Sequence, residues 1–298
     1  MKKIPALITA LAMSLTAITP FSAMADPEEG YLPVMYLSVE GNDKISVLPD
    51  GTVYINNEDL TGDDSIRVNI YVKDESKSCW NIAPKVKCEN GNIKFNEEAT
   101  ENETTAYNDQ HEFISSVDTE YNTVNITFQT PMFPAGAKLE VTSENTDDYP
   151  IAYFNADVNS EIPAGNYRIY FLTEPEDDPD QRTSAISFRY DDTSSATFTP
   201  EVKDQKIIVS DRMLGDVNKD GLVDSVDASA VLSEYAALST EGGESTFTIE
   251  QTNSANINVD EFVDSVDATA ILSYYAYLST GGEENKLDFA SYLATMQE

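Results

Sequence analysis

The chain of 298 residues is poor in the residues from which many catalytic sites are built. It has one histidine, two cysteines and one tryptophan, and only 18 lysines and arginines against 53 aspartates and glutamates. The single histidine, His111, stands isolated in a polar stretch, which is typical of a surface residue and gives poor support for a zinc site or a serine–histidine–aspartate triad. The formal net charge of −35 excludes nucleic acid as a partner, because the phosphate backbone would repel the protein.

The two cysteines, Cys79 and Cys88, lie nine residues apart. In an exported protein this spacing permits a disulfide across neighbouring strands. A zinc site would need more ligands than the chain offers.

Long apolar runs are absent except at the N-terminus. There Lys2 and Lys3 precede an apolar stretch that ends near Phe21, and the small residues of a cleavage site follow at 22–25. The run is short and is interrupted by polar residues and proline, which disfavours a membrane anchor. We therefore predict a signal peptide at 1–25, a mature protein that begins at Asp26, secretion to the extracellular space, and no membrane span.

The C-terminal third contains an internal repeat with an offset of forty residues. Of the 21 positions in 220–240, fifteen are identical in 260–280. Each copy places oxygen-bearing side chains in front of a segment whose apolar residues have helical spacing. The repeat therefore predicts two loop–helix units.

The first loop has the pattern of a calcium site. Oxygen donors stand at loop positions 1, 3, 5, 9 and 12, a backbone carbonyl is available at position 7, and Gly221 provides the sharp turn. Calcium prefers six to eight oxygen ligands, which such a loop supplies. The predicted ligands are Asp216, Asn218, Asp220, the carbonyl of Leu222, Asp224 through water, and Asp227.

The second loop has the same pattern, but two of its residues are less suited to binding calcium. Neutral Asn256 replaces aspartate at position 1, and Glu261 replaces the turn glycine, where we expect a steric cost for positive φ. We therefore predict two calcium ions, the second bound more weakly. The predicted ligands are Asn256, Asn258, Asp260, the carbonyl of Phe262, Asp264 and Asp267.

One helix follows each loop, and no amphipathic helix precedes Asp216. Together the two units, over about Leu214–Gly282, closely resemble the dockerin module of bacterial cellulosomes, amylosomes and related polysaccharide-degrading assemblies. This resemblance implies calcium-dependent binding to a cohesin domain of a scaffold protein, which would also hold the chain near the cell surface. The contact residues that it implies, at loop positions 10 and 11 and on the adjoining helices, are Ser225, Val226, Leu232, Ser233, Ser265, Val266, Leu272 and Ser273.

Both copies share the Ser-Val pair at positions 10 and 11, so the module can in principle bind in two orientations. The copies differ at Glu234 and Tyr274, and at Ala237 and Tyr277. We expect this difference to favour the tyrosine-rich second helix. Basic residues common in clostridial dockerins are replaced by Leu-Ser in both helices, which predicts a more apolar contact.

The residues between the signal and the repeat alternate apolar and polar side chains in many short segments. Examples are 65–72, 123–129, 166–171 and 185–190, with turn signals such as Pro163-Ala-Gly165 between them. We therefore predict an all-β sandwich at 26–210, followed by a small all-α calcium-binding dockerin at 211–282. The tail, 283–298, is either a short amphipathic helix docked onto the repeat or a frayed terminus.

The sandwich is similar to a cohesin in its length, its strand pattern and its closing strand at 202–209. That similarity implies a non-catalytic adaptor that binds another dockerin. Two alternatives remain open. The sandwich is a carbohydrate-binding module with exposed tyrosines among Tyr31, Tyr36, Tyr54, Tyr107 and Tyr121, or a small glycoside hydrolase with two opposed carboxylates, although no acid pair stands out.

Overall fold

The strands and helices follow from a computed structural model of the chain. The structure describes residues 34–62, 64–73, 79–88, 90–102, 111–129, 150–174, 182–189, 195–280 and 286–296. The predicted signal peptide at 1–25 lies outside the described residues, as do Tyr31 and Tyr107.

The N-terminal part is built from strands, because alternating apolar side chains can bury one face of each strand. Among the described residues they are β1 Val34–Val39, β2 Ile45–Val47, β3 Val53–Asn56, β4 Asp64–Lys73, β5 Cys79–Ala83, β6 Lys85–Cys88, β7 Ile93–Phe95, β8 Thr100–Glu101, β9 Glu112–Asp118, β10 Thr123–Gln129, β11 Ala152–Val158, β12 Gly165–Phe171, β13 Ala185–Arg189, β14 Ser195–Phe198, β15 Glu201–Lys203 and β16 Gln205–Ser210. The four strands that the sequence predicted correspond to β4, β10, β12 and β13.

The strands form two sheets. The first sheet has the order β15-β1-β4-β11-β7, with β8 also on β11. The second has the order β14-β13-β5-β10-β6-β12-β16-β3-β2, with β9 also on β10. Buried side chains from both sheets, among them Met35, Phe95, Phe128 and Phe154, form one apolar core. The predicted β-sandwich is confirmed.

The C-terminal part is helical, as predicted. Its helices among the described residues are α1 Ser225–Leu238, α2 Ile249–Ala255, α3 Ser265–Thr280 and α4 Phe289–Thr295. The repeated helices α1 and α3 pack against each other. In the described part of the chain, no helix is long and apolar enough to cross a membrane.

Helix α2 lies between the two loop–helix units, where the repeat predicts no helix. It begins with a capping box, in which Thr248 accepts a hydrogen bond from the backbone of Gln251 and the Gln251 side chain accepts one from the backbone of Thr248. That Thr-x-x-Gln pattern was the available sequence signal. Helix α4 shows that the tail adopts the docked-helix alternative over its described residues, with Phe289 and Ala290 buried.

Candidate calcium loops and docking faces

The first loop wraps around the side chain of Asp216, which is buried. One carboxylate oxygen of Asp216 accepts hydrogen bonds from the backbone N–H of Asp220 (3.1 Å), and the other accepts from Gly221 (2.9 Å). Gly221 has φ +83°, a conformation that a side chain would disfavour. The loop backbone is therefore folded around its first predicted ligand.

Asp227 closes the loop from the first turn of α1. One of its oxygens accepts from the backbone of Val217 at 2.8 Å, and the other accepts from the backbone of Asp224 at 2.9 Å. Asp224 accepts from the backbone of Val226 at 2.6 Å and also from the backbone of Asp227, and the reciprocal bonds between Asp224 and Asp227 form a capping box. Asp227 thus joins the start of the loop to the start of the helix.

The loop chemistry suits calcium, although the described residues contain no cluster of three or more His, Cys, Asp or Glu side chains drawn close enough to hold a metal ion. The carboxylates do not converge because each accepts hydrogen bonds from nearby backbone groups of the loop. Asp216 and Asp227 are both buried, and no described basic side chain forms an ion pair with either. Buried carboxylates without a cation are costly, so this oxygen set fits a calcium ion.

The other predicted ligands lie around the same loop at different depths. Asn218 and Asp220 are exposed and are joined by a hydrogen bond of 2.8 Å from Asn218 Nδ2 to Asp220 Oδ2. Asp224 is half-buried, and Leu222 exposes its side chain. Coordination would therefore require the exposed oxygens to move towards Asp216.

The second loop repeats this construction around Asp267. Asp267 is fully buried and accepts from the backbone of Ile257 at 2.7 Å and of Asp264 at 2.8 Å. Asn256 donates to the carbonyl of Asp260 at 2.7 Å, and its Oδ1 is buried without a hydrogen-bond partner among the described residues. An unsatisfied oxygen at loop position 1 fits a cation ligand. Asn258, Asp260 and the Phe262 side chain are exposed, and Asp264 is half-buried.

Burial raises the pKa of Asp227 and of Asp267, and backbone hydrogen bonds offset part of that rise. Neighbouring carboxylates, Asp216 in the first loop and Asp264 in the second, raise these pKa values further. A bound cation would remove this repulsion.

The prediction of backbone strain at Glu261 is wrong. Glu261 does not have a positive φ, whereas Val259, two residues earlier, has φ 56°. Its counterpart Lys219 has φ 60°. A β-branched residue is far less suited to this left-handed conformation than an unbranched one, so the backbone cost of the second loop lies at Val259.

The repeated helices present two matching faces to solvent. We define the first docking face as Ser225, Val226, Leu232 and Ser233. The second docking face is Ser265, Val266, Leu272 and Ser273.

Exposure of the two faces is nearly equal. Val226 and Val266 are each 55% exposed, and Leu232 and Leu272 are 43% and 42% exposed. The acidic residues of α1 and α3, namely Asp227, Glu234 and Asp267, are all buried. In a strongly acidic protein both faces are therefore neutral and partly apolar, which suits burial against a protein partner.

Glu234 and Tyr274 occupy equivalent positions in the two repeats but make different contacts. Glu234 accepts from the backbone of Thr246 and from the hydroxyl of Ser245 (2.5 Å), so it fixes the segment before α2. Tyr274 stacks on Phe289 with ring centroids 4.5 Å apart. Buried Tyr274 therefore faces α4 and not a partner, which corrects the expectation that it would favour the second docking face.

Residues 214–275 match the family model of the dockerin type I domain. This match confirms the dockerin identified in the sequence. Type I dockerins bind calcium in general. The match covers the helical module and leaves the sandwich outside it.

Similar solved structures include cohesins and cohesin–dockerin complexes. A complex from Clostridium thermocellum is 13% identical, with a TM-score of 0.36 over 58% of this chain and 99% of that chain. A cohesin from Clostridium acetobutylicum is 19% identical (TM-score 0.34; 60% and 92% covered), and a ScaB cohesin of R. flavefaciens in complex with a dockerin is 12% identical (TM-score 0.37; 62% and 99% covered). At these values the similarities do not establish a function for the sandwich. No curated protein sequence matches the chain at a significant level.

The tyrosines considered for sugar stacking do not form one described platform. Tyr54 is buried and donates a hydrogen bond to the carbonyl of Arg212. Tyr36 stacks on Tyr71 in the first sheet, whereas Tyr121 lies in the turn between β9 and β10. Tyr36 and Tyr71 share the outer face of the first sheet with half-buried Tyr153, whereas Tyr54 and Tyr121 lie elsewhere.

The contacts of His111 and Cys88 suit structural roles. His111 contacts the carboxylate of Glu101 and lies near the ring of Phe128. Cys88 is buried in the sandwich core, and the side chain of Cys79 lies outside the described residues, so the disulfide stays a prediction.

The second sheet has a polar outer surface around Ile114 at the end formed by β9, β10, β5 and β13, and exposed Glu112 of β9 lies on it. Ile114, 53% exposed, lies opposite Thr127 across β9 and β10, and Asn81 lies between Gln129 and Ser187. The neighbours of Thr127 along β10, Ile126 and Phe128, belong to the core. We define the Ile114 face as Asn81, Glu112, Ile114, Asn125 and Thr127.

Proposed function

We propose that the chain is a secreted, non-catalytic adaptor of a polysaccharide-degrading complex. Its dockerin, with two calcium ions of which the second is weaker, docks to a cohesin of a scaffold protein and so associates with the cell surface. Its sandwich binds a second protein, another dockerin. The observation that carries the proposal is the pair of neutral, equally exposed docking faces on a module that matches the dockerin type I family.

The Ile114 face supports the second half of this proposal. The exposed Ile114 is surrounded by polar side chains, including the carboxylate of Glu112, which resembles a protein-binding surface with an apolar centre and a polar rim. The single His111 is held by Glu101. Binding therefore explains the sandwich better than catalysis.

The test is a binding screen of the mature full chain against immobilised cohesins, dockerins and insoluble glucans, with and without a calcium chelator. We expect calcium-dependent capture by a cohesin and capture by a dockerin. Val226→Asp combined with Val266→Asp should remove only the cohesin interaction, and Ile114→Asp only the dockerin interaction. Met213→Asp, an exposed position outside both docking faces, is the matched control.

Other outcomes would overturn the proposal in part. Retention by starch or cellulose without dockerin capture would make the sandwich a carbohydrate-binding module. Release of reducing sugars would make the chain a glycoside hydrolase. Failure to bind any cohesin would contradict the docking role itself.

A further inference from the structure

The apolar core of the dockerin continues into the sandwich. Buried Leu48, Tyr54 and Ile208 of the sandwich pack in the same cluster as Val217 and Val231 of the dockerin. They are not part of the sandwich core. The dockerin therefore completes its core with residues from another part of the chain.

Strands β3 and β16 are consequently buried on both faces. The neighbours of Tyr54 in β3 and those of Ile208 in β16 belong to the sandwich core. Both strands carry uninterrupted apolar runs, Val53-Tyr-Ile55 and Ile207-Ile-Val209. Continuous apolar runs are typical of strands covered on both sides, whereas a strand with one wet face alternates. The sequence of β16 thus already suits permanent contact with the dockerin.

Buried polar contacts join the same two parts. Asn253 of α2 is buried and donates to the carbonyl of Val209 in β16 at 2.9 Å. The hydroxyl of Ser210 donates to the carbonyl of Glu250 at 3.1 Å. Separation of the dockerin from the sandwich would expose the apolar cluster and break these bonds.

A chain of hydrogen bonds leads from the sandwich to the first calcium loop. The Tyr54 hydroxyl donates to the carbonyl of Arg212 at 2.9 Å, and the Arg212 guanidinium donates to the carbonyl of Val217 at 2.7 Å. The backbone N–H of Val217 donates to Asp227, the last predicted calcium ligand of that loop. Lys219 of the loop also contacts Glu58 of the sandwich, at 2.7 Å.

We propose that the dockerin and the sandwich are one cooperative folding unit, in which calcium bound at the first loop stabilises the sandwich through Tyr54, Arg212 and helix α2. The proposal depends on the calcium binding given under the proposed function. A ligand that binds only the folded unit stabilises every part that unfolds with it. Loss of calcium would then loosen both parts.

The single tryptophan allows a direct test on the mature full chain. Trp80 lies in strand β5 of the sandwich, so its fluorescence reports the sandwich, while far-ultraviolet circular dichroism at the helix bands reports the dockerin. With calcium we expect the two thermal unfolding curves to coincide. With a chelator both midpoints should fall together. A Trp80 midpoint that stays fixed while the helix midpoint falls would overturn the coupling.

Calorimetric titration of calcium distinguishes a failure of the coupling from a failure of calcium binding. Heat of binding together with a fixed Trp80 midpoint contradicts only the coupling. No heat of binding contradicts the calcium function and the coupling with it.

A substitution in the interface sharpens the test. Asn253→Ala removes the buried bond to Val209, whereas Thr252→Ala, its neighbour on α2, is the matched control. We expect Asn253→Ala to reduce the calcium-induced shift of the Trp80 midpoint by half or more, and Thr252→Ala to leave it unchanged. Should Asn253→Ala fail to fold, Tyr54→Phe, which removes only the hydroxyl bond, takes its place. An unreduced shift in the folded interface variant would contradict the proposed route.

Discussion

The two repeats of the dockerin present nearly the same surface to solvent but are attached to different parts of the molecule. The valines at loop position 11 have equal exposure, and so nearly do the leucines six residues later. The positions where the repeats differ point elsewhere. Glu234 holds the segment before α2, whereas Tyr274 holds α4. The two repeats are thus identical at the docking faces, where a partner would bind. They differ at the position of Glu234 and Tyr274, which attaches each helix to another segment of the chain.

The second docking face borders the sandwich on one side. Val266 and Ala270 line a groove together with Leu48, Pro49 and Asp50 of the sandwich. A water molecule reaches Val226 and Val266 equally well, but a partner of domain size at the second docking face would also meet the turn at 48–50. Equal solvent exposure therefore does not mean equal access.

The largest expected effect concerns the docking faces. Val226→Asp should weaken cohesin binding by about a hundredfold, since it buries an unpaired carboxylate at the accessible face. Val266→Asp should have a much smaller effect because the sandwich restricts the second face. Affinity is measured by calorimetry against the cohesin found in the screen, with Met213→Asp as control. Equal, mild effects of the two single changes and loss only in the double variant would establish two interchangeable orientations.

The next effect distinguishes the calcium loops. Asp216→Ala should weaken calcium binding by about thirtyfold, or about 2 kcal/mol, because it removes a buried charged ligand. Asn256→Ala removes a neutral ligand at the same loop position and should cost less. Calcium titration by calorimetry measures both. Equal losses would contradict the ranking of the two loops.

Sequence patterns predicted those features that depend on neighbouring residues. Strand β10 agrees at both ends with the predicted segment 123–129, and the loops and the repeated helices lie where the repeat placed them. The match at 214–275 confirms the dockerin. Local spacing sufficed because strand alternation and loop ligands are set within a dozen residues.

Two of the features that sequence patterns missed depend on distant contacts, namely the burial of Tyr274 against α4 and the shared core around Tyr54. The positive φ of Val259 instead belongs to the loop itself, because Lys219 at the equivalent position has φ 60°. A buried tyrosine and a docking tyrosine have the same spacing on a helix. The apolar runs at 53–55 and 207–209 were the local signals of the contact between sandwich and dockerin.

A third prediction compares the contributions of Glu234 and Tyr274, at equivalent positions of the two repeats, to the free energy of unfolding. Glu234→Ala should lower the free energy of unfolding by about 2 kcal/mol, because Ser245 and Thr246 lose a buried acceptor. Tyr274→Phe removes only the bond from its hydroxyl to the carbonyl of Leu287 and should cost about 1 kcal/mol or less. Denaturant unfolding followed by circular dichroism measures both. A larger cost for Tyr274→Phe would show that the tail, not the segment before α2, limits stability.

The smallest effect is a gain in stability at the second loop. Val259→Asn should raise the free energy of unfolding by about 1 kcal/mol, because asparagine tolerates a left-handed backbone better than a β-branched side chain does. Part of this gain is offset, since Val259 packs against the dockerin core. Lys219→Asn makes the same change at the equivalent position, where the native residue is unbranched and contacts Glu58, so it should give no gain. Denaturant unfolding in saturating calcium measures both variants, and an equal gain in the two would show that the strain is common to the repeats and does not arise from the valine.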